Sequence, residues 1–149
     1  MTERWKPHVT VAAIIEREGR FLLVEEHTSE GLRLNNPAGH LEYGETPLAA
    51  CQREVMEETA HPFTPTALVG IYLWCKSVDI TYLRLTYCGS VGAPNPHLGL
   101  DIGIVAIHWL SLVDIHANTH RLRSPLVLRG IQDYLAGRRL PLDSVLSIL

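Results

Sequence analysis

The sequence predicts an α/β protein in which a mixed β-sheet lies between helical layers. Two observations lead to this fold class: apolar segments rich in β-branched residues recur along the chain, and two other segments carry helix start signals. The 149 residues match the length of one ordinary domain and are enough to bury a substantial core. Because we find no internal repeat or low-complexity linker, we expect residues 1–149 to form one domain.

The predicted strands begin with a hairpin near the amino terminus. Residues 9–15 and 21–24 are apolar and rich in β-branched side chains, and Glu18, Gly19 and Arg20 lie between them. Glycine is suited to the tight turn that such a hairpin needs. The same composition predicts three further strands, at about residues 67–75, 80–88 and 104–110.

The first helix is predicted to begin at Thr46 and Pro47. Threonine is a favoured N-cap residue, and proline is suited to the first helical position. The helix is expected to stop near His61, because a following proline, Pro62, disfavours helical backbone in the residue before it. Its apolar stripe at helical spacing consists of Leu48, Cys51 and Val55, with Ala49 as a further candidate.

A second helix is predicted from Ser124 and Pro125 to Gly137, with a cap, a first-turn proline and a terminating glycine all present. Together with the first helix, it would supply the helical layers on the two sides of the sheet. The side chains expected to cover the sheet are Leu126, Ile131, Tyr134 and Leu135.

Three glutamates of the first helix share one face. Glu54, Glu57 and Glu58 are three and four residues apart, and like charges at these spacings repel by about 0.2–0.5 kcal/mol per pair. Arg53 and a divalent cation are the obvious sources of compensating charge. Oxygen ligands without clustered cysteine or histidine suit Mg²⁺ or Mn²⁺ better than zinc.

The wider pattern runs G-x5-E-x7-R-E-V-x-E-E, from Gly39 through Glu45 to the helix face just described. It resembles the Nudix box of the Nudix hydrolases. The resemblance implies that Glu54, Glu57 and Glu58 bind the catalytic metal, together with the carbonyl oxygen of Gly39. It also implies that Glu45 helps to organise Arg53 and the metal site.

The end of the box departs from the family pattern, which usually has glycine and then an aliphatic residue. This chain has Ala60 and His61 instead. An alanine in the left-handed conformation of a helix cap is strained by about 1 kcal/mol. We therefore expect the helix to end differently here, without loss of a catalytic residue.

Three further segments resemble a narrower group, the bacterial NudJ-like phosphatases. These are HVTVA at residues 8–12, NPAGHLE at residues 36–42, and LRSPLV with GRRLPL between residues 122 and 142. The resemblance implies hydrolysis of a phosphoanhydride bond in nucleoside di- or triphosphates, thiamine pyrophosphate or its pyrimidine precursor. Two alternatives stay open: an ADP-ribose or dinucleotide pyrophosphatase, and a non-catalytic nucleotide-sensing Nudix domain.

Other residues are candidates for the site outside the box. Asp101 lies in a loop where Nudix enzymes often carry another acidic residue, although aspartate is also a common turn residue. Glu54 and Asp101 are the contenders for the general base, with Glu54 slightly favoured. Trp74 and Tyr72 alternate on a predicted strand and could stack on a ring or simply pack in the core. Phosphate contacts are considered for Lys76, Arg84 and Arg33.

The composition limits the possible partners and setting. With 13 basic and 16 acidic residues, the net charge of −3 offers no broad basic field for nucleic acid or an anionic membrane. A small diphosphate compound is the expected substrate, rather than RNA. The three cysteines lack C-x-x-C spacing and the amino terminus has no apolar signal run, which favours a cytoplasmic setting with all three thiols buried. The protein is expected to be a monomer or a homodimer.

Overall fold

The computed structural model describes residues 2–149, and its mixed seven-stranded sheet with helices confirms the predicted α/β class. The main path of the sheet runs β3-β2-β1-β6-β5, while β4 pairs with β1 and β7 pairs with β2. The strands are β1 His8–Arg17, β2 Arg20–Thr28, β3 Gly31–Asn35, β4 Ala38–His40, β5 Phe63–Cys75, β6 Thr81–Val91 and β7 Ile104–Ser111. The α-helices are α1 Pro47–Thr59, α2 Leu112–Ala117 and α3 Pro125–Leu135.

The predicted hairpin is confirmed as β1 and β2. Glu18 and Gly19 both have positive φ angles, of 52° and 75°. Two such residues in succession are typical of the tight turns whose twist matches that of the flanking strands.

The centre of the sheet brings three distant segments of the chain together. Thr10 of β1 pairs with His40 of β4 on one side and with Arg84 of β6 on the other. The β1–β6 pairing is parallel, whereas β4 runs antiparallel to β1. The same register sets Gly39 of β4 beside Val11, one position along from the Thr10–His40 pair.

Two hydrophobic clusters hold the helices against the sheet. One joins α1 to the sheet and is centred on Cys51, Val55, Val11, Leu68 and Tyr87. The other joins α3 to the sheet and includes Val127, Ile131, Ile14, Leu23 and Val69. Because β1 contributes alternate side chains to both clusters, the sheet lies between two helical layers, as predicted.

Three local expectations were wrong. Ala60 does end α1 in the left-handed conformation, with φ 58°, and its N–H donates to the Met56 carbonyl at 2.9 Å. Burial of Ala60, together with the Asn95 N–H that donates to its carbonyl at 2.8 Å, holds a conformation that alanine disfavours. Leu135 is exposed, because Tyr134 packs at this end of α3, 6.0 Å from the Phe21 ring.

The third error concerns the thiols. Cys51 and Cys88 are buried as expected, but Cys75 is exposed. It lies at the end of the edge strand β5, where alternate side chains face solvent.

Candidate metal centre and adjoining cavity

Helix α1 begins where the sequence predicts. The Thr46 hydroxyl accepts a hydrogen bond from the Ala49 N–H at 3.1 Å, and Pro47 is the first helical residue. This cap fixes the start of the helix and therefore which side chains face β4 and the loop that precedes it.

Arg53 links the carboxylates of the site. Its guanidinium donates to both oxygens of Glu45, at 3.1 and 2.8 Å, and to Glu54 at 2.8 Å and Glu57 at 3.2 Å. A further bond goes to the His40 carbonyl at 3.1 Å. One planar cation therefore orients three carboxylates and ties α1 to β4.

A loop carboxylate completes the acidic cluster. Oxygen atoms of Glu54, Glu57 and Asp101 all lie within 4.8 Å of one another. The loop that holds Asp101 is attached to the helix, because the Asp101 N–H donates to the Glu57 carbonyl at 3.0 Å. Three convergent oxygen donors fit a hard divalent cation such as Mg²⁺ or Mn²⁺.

Glu58, which the family pattern also implies as a metal ligand, is not among the carboxylates that converge within 4.8 Å, although the charges of Glu54 and Asp101 act on it. Its carboxylate accepts from the Ala38 N–H at 2.8 Å, and the side chain is buried. Burial raises the pKa of Glu58 to about 8, since a charged carboxylate loses solvation there. Glu58 therefore joins α1 to β4, next to the cluster.

Gly39 lies directly against the cluster. A Cβ atom at this position would overlap the Glu54 carboxyl group, so any other residue here would displace that carboxylate. Burial raises the pKa of Glu54, and the hydrogen bond from Arg53 partly offsets that effect. Glu45 is affected in the opposite direction, because its hydrogen bonds with Arg53 lower its pKa.

Gly39, against which the Glu54 carboxyl group packs, also lines a cavity of about 190 Å³. Trp74 and Tyr82 line it, with their rings stacked at a centroid distance of 5.7 Å and an interplanar angle of 18°. Thr10, Asn35 and Arg84 line it too, although their buried side chains are polar. The cavity thus combines an aromatic surface with buried hydrogen-bonding groups, as small-molecule sites do.

Arg84 is the most unusual residue of the cavity. It is 7% exposed, and its buried Nε and Nη1 atoms have no hydrogen-bond acceptor among residues 2–149. Burial lowers its pKa to about 10, while the negative charges of Glu26 and Glu58 act in the opposite direction. The side chain therefore stays cationic at neutral pH.

A second cavity, of about 540 Å³, shares part of this lining. It extends from the first cavity towards the amino-terminal end of α3 and the turn between β2 and β3. The residues that line both cavities are Trp74, Lys76, Arg123 and Ser124. The two cavities together offer a longer groove leading away from the carboxylates.

Two sequence candidates lie elsewhere. Tyr72 donates to Asp133 at 2.7 Å and so connects β5 with α3, and Arg33 lies within 4.0 Å of Glu30. Neither residue lines the two cavities.

Sequence reasoning also missed several residues that do line the smaller cavity. Nothing in their local patterns marks them as site residues: Thr10, Asn35, His40, Tyr82 and Arg123.

Comparison with known proteins gives the family. A model of the NUDIX domain matches residues 6–129. The phosphatase NudJ of Escherichia coli and that of Shigella flexneri are each 36% identical to this chain over 141 residues, covering 95% of this chain and 92% of theirs.

Solved structures agree. A NUDIX hydrolase from Nitrosomonas europaea superposes with a TM-score of 0.92 at 50% identity, covering 96% of this chain and 98% of the other. A bifunctional NMN adenylyltransferase/ADP ribose pyrophosphatase from Francisella tularensis shares the fold, with a TM-score of 0.75 and 20% identity over 91% of this chain and 42% of its own.

The fold is that of a hydrolase that acts on phosphoanhydrides, and helix α1 carries the glutamates and the arginine, Arg53, that such an enzyme needs. This chain belongs to the Nudix family and is a Nudix pyrophosphohydrolase, similar to NudJ over most of its length. Nudix enzymes generally use divalent metal ions and act on small diphosphate compounds, and the acidic cluster suits such an ion. Within residues 2–149, no helix is long and apolar enough to cross a membrane.

Proposed function

We propose that this enzyme uses Mg²⁺, which Mn²⁺ can replace, to hydrolyse a phosphoanhydride bond in nucleoside di- or triphosphates, thiamine pyrophosphate or its pyrimidine precursor. One observation carries the proposal: Gly39 packs against Glu54 of the acidic cluster and also lines a cavity with an aromatic wall. Phosphates at the carboxylates and a ring in the cavity would then belong to one substrate.

The ion would be held by Glu54, Glu57 and Asp101, with the Gly39 carbonyl and Glu58 as the further ligands that the family pattern implies. When bound, it would act as a Lewis acid on phosphate oxygens and lower the pKa of the attacking water. Arg53 holds Glu54 and Glu57 in place and so reduces the reorganisation needed when an ion binds.

Glu54 is our proposed general base, and Asp101 is the alternative. Glu54 is the member of the acidic cluster that packs against Gly39, a residue that lines the cavity, and one of its oxygens is fixed by Arg53 at 2.8 Å. A carboxylate at this boundary is positioned to take a proton from water near a substrate phosphorus. Asp101 is exposed and lies at the outer side of the cluster.

For the substrate, we propose stacking on Trp74 and contacts to Lys76 and Arg84, all three of which line the smaller cavity. Tyr72 is assigned only an indirect role, since its hydroxyl is bound to Asp133. The small net charge of −3 supports a small molecule rather than RNA as substrate.

A second candidate substrate class is ADP-ribose or a dinucleotide. The larger cavity of about 540 Å³ favours it, because a substrate with groups at both ends of its diphosphate could occupy both cavities. A non-catalytic sensor is less well supported, because all the box glutamates and Arg53 are present.

The test is a substrate panel with the purified protein and Mg²⁺, its products resolved by mass. The panel contains nucleoside di- and triphosphates, thiamine pyrophosphate, ADP-ribose and 5′-triphosphorylated RNA, with chelator as the control. Cleavage of the first two groups, abolished by chelator, is expected. Faster cleavage of ADP-ribose would favour the second candidate, and absence of any cleavage would overturn both.

Three related points remain predictions from the sequence. They are a single domain over residues 1–149, a cytoplasmic location, and a monomeric or homodimeric state.

A further inference from the structure

All four buried side-chain nitrogen and oxygen atoms without a hydrogen-bond partner in residues 2–149 belong to residues of the smaller cavity. They are Nε and Nη1 of Arg84, Oδ1 of Asn35 and Oγ1 of Thr10. The three residues are 7%, 8% and 6% exposed, respectively. A folded protein rarely leaves buried polar atoms unpaired, so their concentration at one cavity points to a ligand that supplies the missing partners.

The orientation of the Asn35 amide is fixed by its neighbour. Its Nδ2 donates to Glu26 at 3.3 Å, and a carboxylate can only accept in such a bond. The Asn35 Oδ1 atom is therefore the group left without a partner, and it needs a donor from the ligand. Arg84 can only donate, so it needs an acceptor.

A phosphate does not fit this combination. An ionised phosphate offers acceptors for Arg84 but no donor for Asn35, so it would leave the Asn35 Oδ1 atom unpaired. A neutral group with an acceptor and a donor satisfies both residues. The stacked rings of Trp74 and Tyr82 favour a planar group.

The size of the cavity agrees with one such group. Its volume is about 190 Å³. This space suits a single heteroaromatic ring whose linker leads towards Gly39 and the carboxylates.

We propose that Arg84, Asn35 and Thr10 select the ring of the substrate by hydrogen bonding, rather than binding its phosphates. Arg84 donates to a ring nitrogen or carbonyl oxygen, Asn35 accepts from an adjacent amino group, and the Thr10 hydroxyl bonds to the same ring edge. The preferred substrate is thus a diphosphate of an amino-substituted nitrogen heterocycle. This inference rests on the proposed function, and it changes the role that the sequence suggests for Arg84.

Calorimetric binding without metal tests the inference with three probes. They are cytidine monophosphate, its 2-pyrimidinone analogue without the amino group, and ribose 5-phosphate without a ring. The wild-type protein is expected to bind cytidine monophosphate at least about tenfold more tightly than the analogue, and the analogue more tightly than ribose 5-phosphate.

Each variant should reduce one of the differences in affinity between these three probes. Asn35→Leu should abolish the preference for the amino group. Arg84→Met should reduce the advantage of the analogue over ribose 5-phosphate to the part that stacking on Trp74 supplies, and Thr10→Val should weaken both ring ligands a few-fold. Ribose 5-phosphate should bind all variants within about twofold of wild type, and Arg20→Met, a surface arginine outside both cavities, should bind every probe like wild type.

Two results would overturn the inference. One is wild-type binding that is equal for cytidine monophosphate and ribose 5-phosphate. The other is an Arg84→Met variant that weakens ribose 5-phosphate as strongly as the ring ligands, which would make Arg84 a phosphate contact. If Arg84→Met does not fold, Asn35→Leu and the near-isosteric Thr10→Val decide the question. The probes contain no phosphoanhydride, so failure here is distinct from failure of the substrate panel.

Discussion

The acidic cluster and the adjoining cavity differ in whether the protein itself supplies hydrogen-bond partners to their polar groups. In the cluster, Arg53 already bonds to Glu45, Glu54 and Glu57, so the folded chain itself orients these carboxylates. In the cavity, the buried polar atoms of Arg84 and Asn35 have no partner among residues 2–149. The part that performs the chemistry is thus organised before substrate arrives, whereas the part that recognises the substrate is completed by it.

The pKa values of Arg53 and Arg84 differ for the same reason. The pKa of Arg53 is raised, chiefly by its hydrogen bonds to Glu45. The pKa of Arg84 is lowered to about 10, chiefly by burial. The protein supplies hydrogen-bond acceptors to Arg53. Arg84 lost its hydration on burial without gaining such acceptors for two of its nitrogens, and an acceptor on a ligand would lower the free-energy cost of that burial.

The largest expected effect comes from removing a carboxylate of the cluster. Glu57→Gln should lower turnover by about a hundredfold or more, because a metal ligand is lost while the helix stays intact. Steady-state kinetics at saturating Mg²⁺ would measure this, with the exposed Glu3→Gln as the matched control. Turnover near that of wild type would contradict the assigned metal site.

A smaller loss of turnover is expected when Arg53 is replaced by lysine, which keeps the positive charge. Arg53→Lys should lower kcat by about 10–100-fold, because one ammonium group cannot hold Glu45, Glu54 and Glu57 together. The concentration of Mg²⁺ needed for half-maximal rate should rise as well. Arg20→Lys serves as the control, and an unchanged metal requirement in Arg53→Lys would show that the cluster does not depend on the guanidinium.

Removing the Trp74 ring from the cavity should impair catalysis less than the changes to Glu57 and Arg53. Trp74→Ala should raise KM for nucleotide and thiamine substrates by similar factors, about 3–10-fold, because stacking is lost. Hydrolysis of inorganic pyrophosphate, which has no ring to stack on Trp74, should change little. A fall in kcat for every substrate, with KM constant, would place Trp74 in the catalytic step instead.

The smallest expected effect is on stability. The pKa of Glu58 is raised from 4.5 to about 8, so the folded protein keeps a proton that the unfolded chain has lost between these values. Its contribution to stability is therefore present below about pH 4.5 and is lost as the pH rises through about 8.

In thermal scans with chelator, Tm should fall by several degrees more for wild type than for Glu58→Gln over this pH range. Saturating Mg²⁺ at pH 8 should raise the wild-type Tm by mass action. Parallel pH profiles for the two proteins would argue against a protonated Glu58 in the metal-free state.

The sequence by itself determined the parts of the site that are local. The Thr46–Pro47 cap predicts the start of α1, and helical spacing then places Arg53, Glu54 and Glu57 on one face, as the structure shows. The hairpin at Gly19 is local in the same sense. Such features depend on residues within a few positions of one another, so their patterns can be read directly.

The tertiary structure decided what distant strands bring together. Strands β3 and β4 have five and three residues, too short for a clear periodic pattern, yet they carry Asn35 and Gly39 to the site. Only the pairing of β1 with β6 sets Thr10 beside Arg84, and only its pairing with β4 adds His40 and Gly39. Only folding joins the Asp101 loop to α1. Whether a buried side chain finds a hydrogen-bond partner depends on such long-range packing, and a single sequence does not reveal it.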